Sequence, residues 1–248
     1  MVTELKEKEQ IFSQLEKIIN HRFDKKEEPI IRSFINEYYR DVAWEDLAER
    51  ELDDLYGAAI AHWNLAQSRQ GEESKVNVYN PDFETHGWQS PYSIIEIVTM
   101  DRPFLLNSLT MNLNQSGLTC HLVVHPIIEV VRDENGLLKP GQSKERTVSE
   151  SMIRLEVDRQ ASKGGGLELL ADQVQKVITY NTAVNEDWKA SINSLQQSAE
   201  MLKEFSPKDN NEDIDESLAF LSWLKDDNFL FLGCREYELV KGNESDGF

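Results

Sequence analysis

The sequence predicts an α+β fold, in which an N-terminal helical region precedes an antiparallel sheet with helices on one face. The first observation is that residues 1–70 show apolar spacing typical of helices. The second is that residues 92–131 run through a strand-like segment, a turn, an apolar helix, a glycine and a second strand-like segment. The third is the return of a strand pattern at residues 151–157.

The helical region carries three apolar stripes at helical spacing. They comprise Ile11, Leu15, Ile18 and Ile19; then Ile30, Ile31, Phe34, Ile35, Tyr38 and Tyr39, after Pro29; and then Leu47, Leu52, Leu55, Ala59, His62, Trp63 and Ala66. Two interpretations are open: a three-helix cap whose stripes face inward, or a subunit interface. Helical stripes usually gain their stability by packing within their own domain, which favours the cap.

His62 is a candidate ligand that the sequence argues against. It lies on the apolar side of the third stripe, beside Trp63. No second histidine, cysteine or carboxylate pair stands nearby at metal-ligand spacing. We therefore expect a packed, hydrogen-bonded histidine at this position.

The strand–turn–helix in the middle of the chain carries the chemically suggestive residues. A β-branched run from Ile94 to Val98 is broken by Asp101, Arg102 and Pro103, and leucines at helical spacing follow. Pro103 suits the first helical position because that position needs no N–H. The free N–H groups after it would bind a carboxylate or another anion. Asp101 could instead be only the cap of those donors.

The flanking segments extend the predicted sheet. Residues 75–79 alternate like a short edge strand, and residues 132–149 carry turn signals. Within the returning strand, Ile153, Leu155 and Val157 alternate with charged residues. The three glycines at 164–166 lack the phosphate-binding and dinucleotide-binding patterns, so a flexible connection is expected.

The C-terminal part continues the helical pattern. A helix from Leu167 is expected to run, with a break, as far as Leu202. A polar break precedes a helix at 214–225 and a strand at 229–232. These segments divide the chain into three predicted parts: 1–70, a helical region; 75–205, a sheet-containing domain; and 212–248, the start of a further module.

Composition restricts the class of protein. The 248 residues include 45 acidic and 26 basic ones, a formal charge of −19 that repels nucleic acid and anionic membranes. No apolar run reaches the length of a membrane span, and the N-terminus lacks a signal-peptide core. Cys120 and Cys234 lie in apolar contexts without a CxxC pattern, so buried thiols in a reducing compartment are expected. The prediction is a cytoplasmic protein.

The sequence assembles no catalytic or metal-binding set. It contains no nucleophile elbow, HExxH motif or dinucleotide fingerprint. His121 and His125 would share one face of a strand, but about 13 Å apart, too far for one metal. The His125-Pro126 pair marks a bend or an edge position.

The segment IIEIVTMDRPFLLNSLTMNLNQSGLTCHLVVHPI, residues 94–127, resembles two related families. Its D-R-P turn before an apolar helix resembles the ACT domain, a ferredoxin-like βαββαβ module that binds amino acids. The whole segment is similar to the N-terminal region of the large NAD-specific bacterial glutamate dehydrogenases. A typical ACT turn has glycine where this chain has Phe104, whereas the dehydrogenases also place an apolar residue after the proline.

The resemblance covers nearly the whole chain. Three further segments are similar to the same dehydrogenase region: ESMIRLEVDRQ, VNEDWKASINSL and ESLAFLSWLKDDNFLFLGCREYEL. It implies an ACT-like sheet and a parent enzyme that oxidises glutamate with NAD and water to 2-oxoglutarate and ammonia. Catalysis and NAD binding would lie in another domain of that enzyme, and neither a cofactor nor a metal is expected in this chain. The remaining domains and further copies of the chain are the implied partners.

An amino-acid effector is the other implied partner. It would bind at the turn, across an interface with a neighbouring strand around residues 122–125, and Arg102 would pair with its carboxylate. The candidate residues are Asp101, Arg102, Phe104, Leu105, Leu122 and His125. Two hypotheses remain open: effector binding at this turn, or an interaction role without a ligand. An alternative is a free-standing amino-acid-binding sensor of the ACT type.

Overall fold

The structure is a computed structural model that describes residues 2–140, 147–204, 211–228, 231–235 and 237. It divides into two compact units, residues 1–181 and residues 182–248. Within its described residues, no helix combines the length and apolar character that a membrane span needs. The first unit contains the helical region and the sheet, and the features that position the candidate site all lie there.

Four helices form the N-terminal region: α1 (Val2–Arg22), α2 (Glu28–Tyr38), α3 (Trp44–Ala48) and α4 (Leu52–Ala66). Pro29 lies in the first turn of α2, as predicted. The third predicted helix is divided, because the chain leaves the helical conformation between α3 and α4 and Glu51 is extended, with ψ at 143°. At this break the Arg50 guanidinium donates to the Asp46 carbonyl, which satisfies an acceptor at the end of α3.

Five antiparallel strands form one sheet in the described part of the chain: β1 (Lys75–Tyr79), β2 (Ser93–Met100), β3 (Cys120–Val124), β4 (Ile127–Val130) and β5 (Val148–Val157). The order is β1-β2-β5-β3, and β4 also pairs with β5. Strands β3 and β4 are therefore two halves of one bent edge, with Pro126 at the bend. The short helix α5 (Phe83–His86) and helix α6 (Leu105–Gln115) lie on either side of β2 in the chain.

This arrangement confirms the predicted α+β fold with an ACT-like sheet. It also shows which segment lies at the sheet edge where the fourth strand of the βαββαβ pattern is expected. Strands β2, β3/β4 and β5 with helix α6 form the βαββ part of the ACT pattern. The edge beside β2 belongs to β1, which precedes that part in the chain. The predicted strand at 229–232 falls partly outside the described residues, and its described residues 231 and 232 are not in a strand.

Helices lie against both faces of the sheet. Helix α6 and the N-terminal half of α7 (Gly166–Glu204) cover one face, where Leu109, Leu113 and Val174 pack against Ile97 and Leu155. The N-terminal helices cover the other face and share a core with Val98, Leu122, Val124 and Met152. The apolar stripes thus pack inward, as the cap interpretation predicted. The burial of both faces explains why β2 is buried along seven of its eight residues.

Two local predictions differ from the structure. Helix α7 runs from Gly166 to Glu204 without the predicted break. Cys234 is exposed and Cys120 is only half-buried, so the prediction of two buried thiols is wrong. The last described elements are α8 (Asn211–Trp223) and a short π-helix (Leu224–Asn228). The division into parts at 70–75 and 205–212 stays a prediction.

Candidate functional site

Asp101 lies just beyond β2, at the turn where the sequence placed a ligand or a helix cap. Its backbone N–H donates to the Ser149 carbonyl at 3.0 Å. Its carboxylate accepts from the Ser151 hydroxyl at 2.6 Å. Helix α6 begins only at Leu105, and its cap residue is Phe104, without a side-chain capping bond. Asp101 therefore joins the turn to β5 and does not cap α6, and Pro103 is not the first helical residue.

Phe104 has a left-handed backbone, with φ at 62°. A residue with a Cβ adopts this conformation at a cost, and glycine would adopt it freely. The ring is 53% exposed. Asn181 of α7 donates to the preceding Pro103 carbonyl at 3.0 Å, which helps to hold the turn. An aromatic side chain thus projects at the position where a typical ACT turn has no side chain.

Arg102 already has partners. Its guanidinium forms an ion pair with Glu72 and donates to the Thr99 hydroxyl at 3.4 Å. The Arg102 side chain is 10% exposed and that of Glu72 is 68% exposed. Because such an open carboxylate holds its partner weakly, a ligand carboxylate of better geometry could displace it.

His125 joins Asp101 through one serine. The Ser151 hydroxyl donates to Asp101, so the His125 Nε2, at 3.1 Å from the same oxygen, is the donor in the second bond. Burial lowers the pKa of His125, and the nearby Asp101 acts in the opposite direction. A neutral imidazole with its proton on Nε2 fits this arrangement. The result is a hydrogen-bonded chain from the end of β2 to the bend between β3 and β4.

The two leucines among the candidates lie away from this chain. Leu105 is 2% exposed and packs in the core beneath α6. Leu122 is 5% exposed and packs on the opposite face of the sheet, in the core beneath the N-terminal helices. The structure therefore brings Asp101 and His125 together and places Arg102 and Phe104 beside them, while Leu105 and Leu122 line no common site.

A buried layer of charges between the sheet and the N-terminal helices was missed by the sequence reasoning. Glu150 is fully buried and binds two arginines. Arg69 approaches it at 2.9 and 2.8 Å, and Arg132 at 2.7 and 2.6 Å. This cluster ties the end of α4 and the loop after β4 to β5.

A second group of charges lies further along the same face. Arg154 donates to one oxygen of Glu156 at 2.9 Å, and Arg50 donates to the other at 2.8 Å. Arg154 also lies under the Trp88 ring, 4.7 Å from its centre. Glu96 accepts from the Tyr79 hydroxyl at 2.9 Å, and burial raises the pKa of its carboxyl to about 7, although Arg154 acts to lower it.

His62 is the packed histidine that the sequence predicted. Its Nε2 lies 3.1 Å from the Ile97 carbonyl and must carry the proton, so its Nδ1 accepts from the Tyr38 hydroxyl at 2.9 Å. Burial lowers the pKa of His62 to about 3. His121 bonds to Asp158 at 2.8 Å and stacks on Tyr92. Among the described residues, no group of histidine, cysteine and carboxylate side chains is arranged to hold a metal ion.

Comparison with known proteins fits this geometry. The family model for the glutamate dehydrogenase ACT1 domain matches residues 34–173, which include α4, the whole sheet and α6. The chain is 36% identical to the NAD-specific glutamate dehydrogenase of Halomonas elongata over 239 residues, covering 92% of this chain and 14% of that protein. It is 31% identical to the NAD-specific glutamate dehydrogenase of Pseudomonas aeruginosa over 238 residues, covering 94% of this chain and 14% of that protein.

The chain thus spans about one seventh of the length of these curated relatives. The match includes the D-R-P turn, the central strands and the helix between them. The resemblance to the ACT-like region of the large NAD-specific glutamate dehydrogenases is confirmed, and the chain belongs to the glutamate dehydrogenase ACT1 domain family.

Proposed function

We propose that the chain is a non-catalytic regulatory and assembly segment of an NAD-dependent glutamate dehydrogenase. The parent enzyme would convert L-glutamate, NAD and water into 2-oxoglutarate, ammonia and NADH in the cytoplasm, with NAD bound in another of its domains. The family membership and the names of the two relatives support the parent activity. The small share of each relative that the chain covers leaves room for catalysis elsewhere.

The observation that carries the assembly role is an open sheet edge with exposed apolar side chains, together with the exposed Phe104 at the turn after β2. Strand β3 pairs with β5 on one side and has no strand on its other side within the described residues. Val123 on this edge is 37% exposed, and Ile127 on β4 is 47% exposed. An open edge with apolar side chains can pair with another strand, from a second copy or from another domain. The ring of Phe104 would add apolar contact area.

The assembly proposal is tested in the complete enzyme. We expect Phe104→Ser combined with Ile127→Ser to lower the assembled fraction in light scattering, because both changes remove apolar contact area. The control is Phe83→Ser, since Phe83 is also exposed, at 66%, but lies on α5. An unchanged mass with both changes in place would remove the support for assembly through this edge. Glutamate turnover by the 248-residue chain alone would overturn the non-catalytic part of the proposal.

Effector binding at the turn is the second candidate function. The arrangement of Arg102 favours it, because among the described residues this guanidinium is held by the exposed Glu72 and by a long bond to Thr99. An amino-acid carboxylate would take the place of Glu72, with Asp101 and His125 beside it. A thermal-shift screen with amino acids, 2-oxoglutarate, NAD and nucleotides tests this idea. A shift that vanishes with Arg102→Ala supports it, and the absence of any shift contradicts it.

A further inference from the structure

One stretch of the chain carries no charged side chain. Residues 103–128 contain no aspartate, glutamate, lysine or arginine, although these four types make up 29% of the sequence. Burial does not explain this run, because Asn107, Met111, Asn114 and Gln115 of α6 are all exposed. Charge is therefore missing from a part of the protein surface, where charged side chains are normally found.

The exposed residues of α6 form a stripe along its outer side. The buried leucines of this helix face the sheet. Asn107, Met111 and Asn114 follow one another at spacings of four and three residues, which places them together on the opposite side. Within the described residues, the side-chain amides of Asn107, Asn114 and Gln115 have no hydrogen-bond partner. They are available to a second protein.

Helix α7 extends this stripe on one side. Gln173 donates to the Asn112 carboxamide oxygen at 2.8 Å, so this side of α7 adjoins α6. Leu169 precedes Gln173 by four residues and Tyr180 follows it by seven, so both lie on the same side of α7. They are 69% and 70% exposed, and Met111 is 59% exposed. The α6/α7 surface comprises Asn107, Met111, Asn114, Gln115, Leu169 and Tyr180.

The composition of the α6/α7 surface indicates an interaction site. Exposed apolar residues that stand singly are common, but several that share one surface indicate a contact with another protein. The charges at its border, on Asp172 and Lys176 of α7, are opposite in sign and offset each other. The surface is therefore close to neutral, in contrast to the formal charge of −19 for the whole chain.

The charge of the chain favours a second copy as the partner. Two copies of charge −19 repel each other, and like charges brought face to face cost binding free energy, so copies meet most easily where neither is charged. A twofold contact also requires a surface that is complementary to itself. Carboxamides meet this condition because each has both a donor and an acceptor, which neither a carboxylate nor an ammonium group has.

The order of the side chains along α6 fits a twofold axis. The midpoint between Asn107 and Asn114 falls between Thr110 and Met111. When two α6 helices pack in antiparallel directions about this midpoint, Asn107 of each copy lies opposite Asn114 of the other. The two Met111 side chains then meet at the axis, with carboxamides around them. An apolar centre and a polar rim are the usual anatomy of a protein interface.

We propose that the α6/α7 surface binds the same surface of a second copy, through antiparallel packing of α6 on α6 about a twofold axis beside Met111. This contact differs from the sheet edge discussed above, because it lies on the helical layer over the sheet, and it does not rest on assembly through that edge. One helix of 11 residues and part of its neighbour form a small interface. We therefore expect weak dimerisation of the chain, with a dissociation constant of about 10–100 µM.

Disulfide cross-linking tests this geometry in the complete enzyme. Met111→Cys should give a dimer on a denaturing, non-reducing gel, because the axis brings the two thiols together. Asn107→Cys combined with Asn114→Cys should also cross-link, whereas each single change should not, since its thiol then faces a carboxamide. Within one helix the two positions are about 10 Å apart, too far for a disulfide inside one copy. The controls are the unchanged enzyme, for its own cysteines, and Gln175→Cys, exposed on α7 outside the surface.

A charge placed at the axis tests the contact without a covalent bond. Met111→Glu brings two carboxylates face to face in the proposed dimer and should not disturb the fold, because the position is exposed. In sedimentation equilibrium of the 248-residue chain, this change should weaken self-association at least about tenfold. Ile127→Ser at the sheet edge and Gln175→Glu outside the surface should leave it unchanged.

The outcomes separate the two surfaces. The proposal is overturned if the cysteine variants cross-link no more than Gln175→Cys, if the chain shows no self-association up to about 500 µM, or if Met111→Glu associates as the unchanged chain does. Association that is lost with Ile127→Ser and kept with Met111→Glu would assign self-assembly to the sheet edge instead. Cross-linking of the single asparagine variants as readily as the combined one would contradict the twofold axis. If Met111→Glu abolishes association and Ile127→Ser changes nothing, the α6/α7 surface stands and assembly through the edge falls.

Discussion

Glu96 and Arg154 are directly opposite each other on β2 and β5, yet Arg154 donates to Glu156 and Glu96 accepts from Tyr79. One oxygen of Glu96 has no hydrogen-bond partner among the described residues. Burial is the main reason why the pKa of this carboxyl rises to about 7. The pair therefore shares a buried layer in which one member is ionised and the other is close to its titration point at neutral pH.

This pKa predicts how stability depends on pH. The carboxyl binds its proton more tightly in the folded chain than in the unfolded one, so Glu96 lowers the free energy of unfolding as pH rises from about 4.5 to about 7. The full effect is about 3 kcal/mol. We expect Glu96→Gln to remove this decline, as measured by urea denaturation at pH 5 and pH 8. The exposed Glu45→Gln is the control, and an identical pH dependence in all three proteins would contradict the prediction.

His62 should act in the opposite direction. Its pKa falls to about 3 on folding, so the folded chain binds fewer protons than the unfolded chain between about pH 3 and pH 6.5. The free energy of unfolding should therefore fall on acidification below pH 6.5, by up to about 1.4 kcal/mol per pH unit. Denaturation of the His62→Gln variant should lack this acid sensitivity. The exposed His21→Gln variant should retain it, and loss in both variants would refute the assignment to His62.

Glu150 offers a test of the buried ion pairs. Arg132→Met leaves the fully buried carboxylate with Arg69 alone, and breaking such a pair costs about 3–5 kcal/mol. Arg22→Met removes an ion pair with Asp53 in which both side chains are at least half exposed. We expect a loss below about 1 kcal/mol for that control. The comparison uses the denaturation midpoints of the two variants. Equal losses of stability would show that burial does not determine the cost of removing an ion pair.

The left-handed backbone of Phe104 predicts that glycine at this position will stabilise the chain. Phe104→Gly removes the cost of the left-handed backbone, about 1 kcal/mol, and gives up little packing because the ring is 53% exposed. Met111→Gly, at an exposed position inside α6, should instead lower the free energy of unfolding by about 1 kcal/mol. Chemical denaturation should therefore show a higher free energy of unfolding for Phe104→Gly and a lower one for Met111→Gly. A loss of stability with Phe104→Gly would mean that the exposed ring makes a contact worth more than the backbone strain.

Local patterns predicted most of the fold. The β-branched run at Ile94–Val98, the leucines of α6 and the short strand at 75–79 lie where periodicity placed them. The turn was less predictable, because Asp101 looked like a cap by its position before the leucines. Its actual partner, Ser151, lies 50 residues further along the chain. Only the pairing of β2 with β5 brings these two side chains together.

The buried charges could not be predicted by the same means. Arg154 and Glu156 alternate with apolar residues along β5, which is the pattern of a strand with one face in water. The N-terminal helices cover that face, so charged side chains occupy interior positions. The tyrosines at 38, 39 and 79 offered a signal, since buried hydroxyl groups need polar partners. That signal becomes informative only when the helices are known to pack on the sheet.

Strand β1 has a practical consequence for anyone who divides this chain. It forms the sheet edge beside β2 and follows directly from the helices that cover Glu96, Glu150 and Arg154. A shortened chain that starts near residue 70 would keep all five strands but open this charged layer to water and leave its apolar neighbours unprotected. Such a piece should be poorly soluble or fail to fold. A useful minimal fragment should keep α1–α4 and end near Asn181, at the limit of the first compact unit.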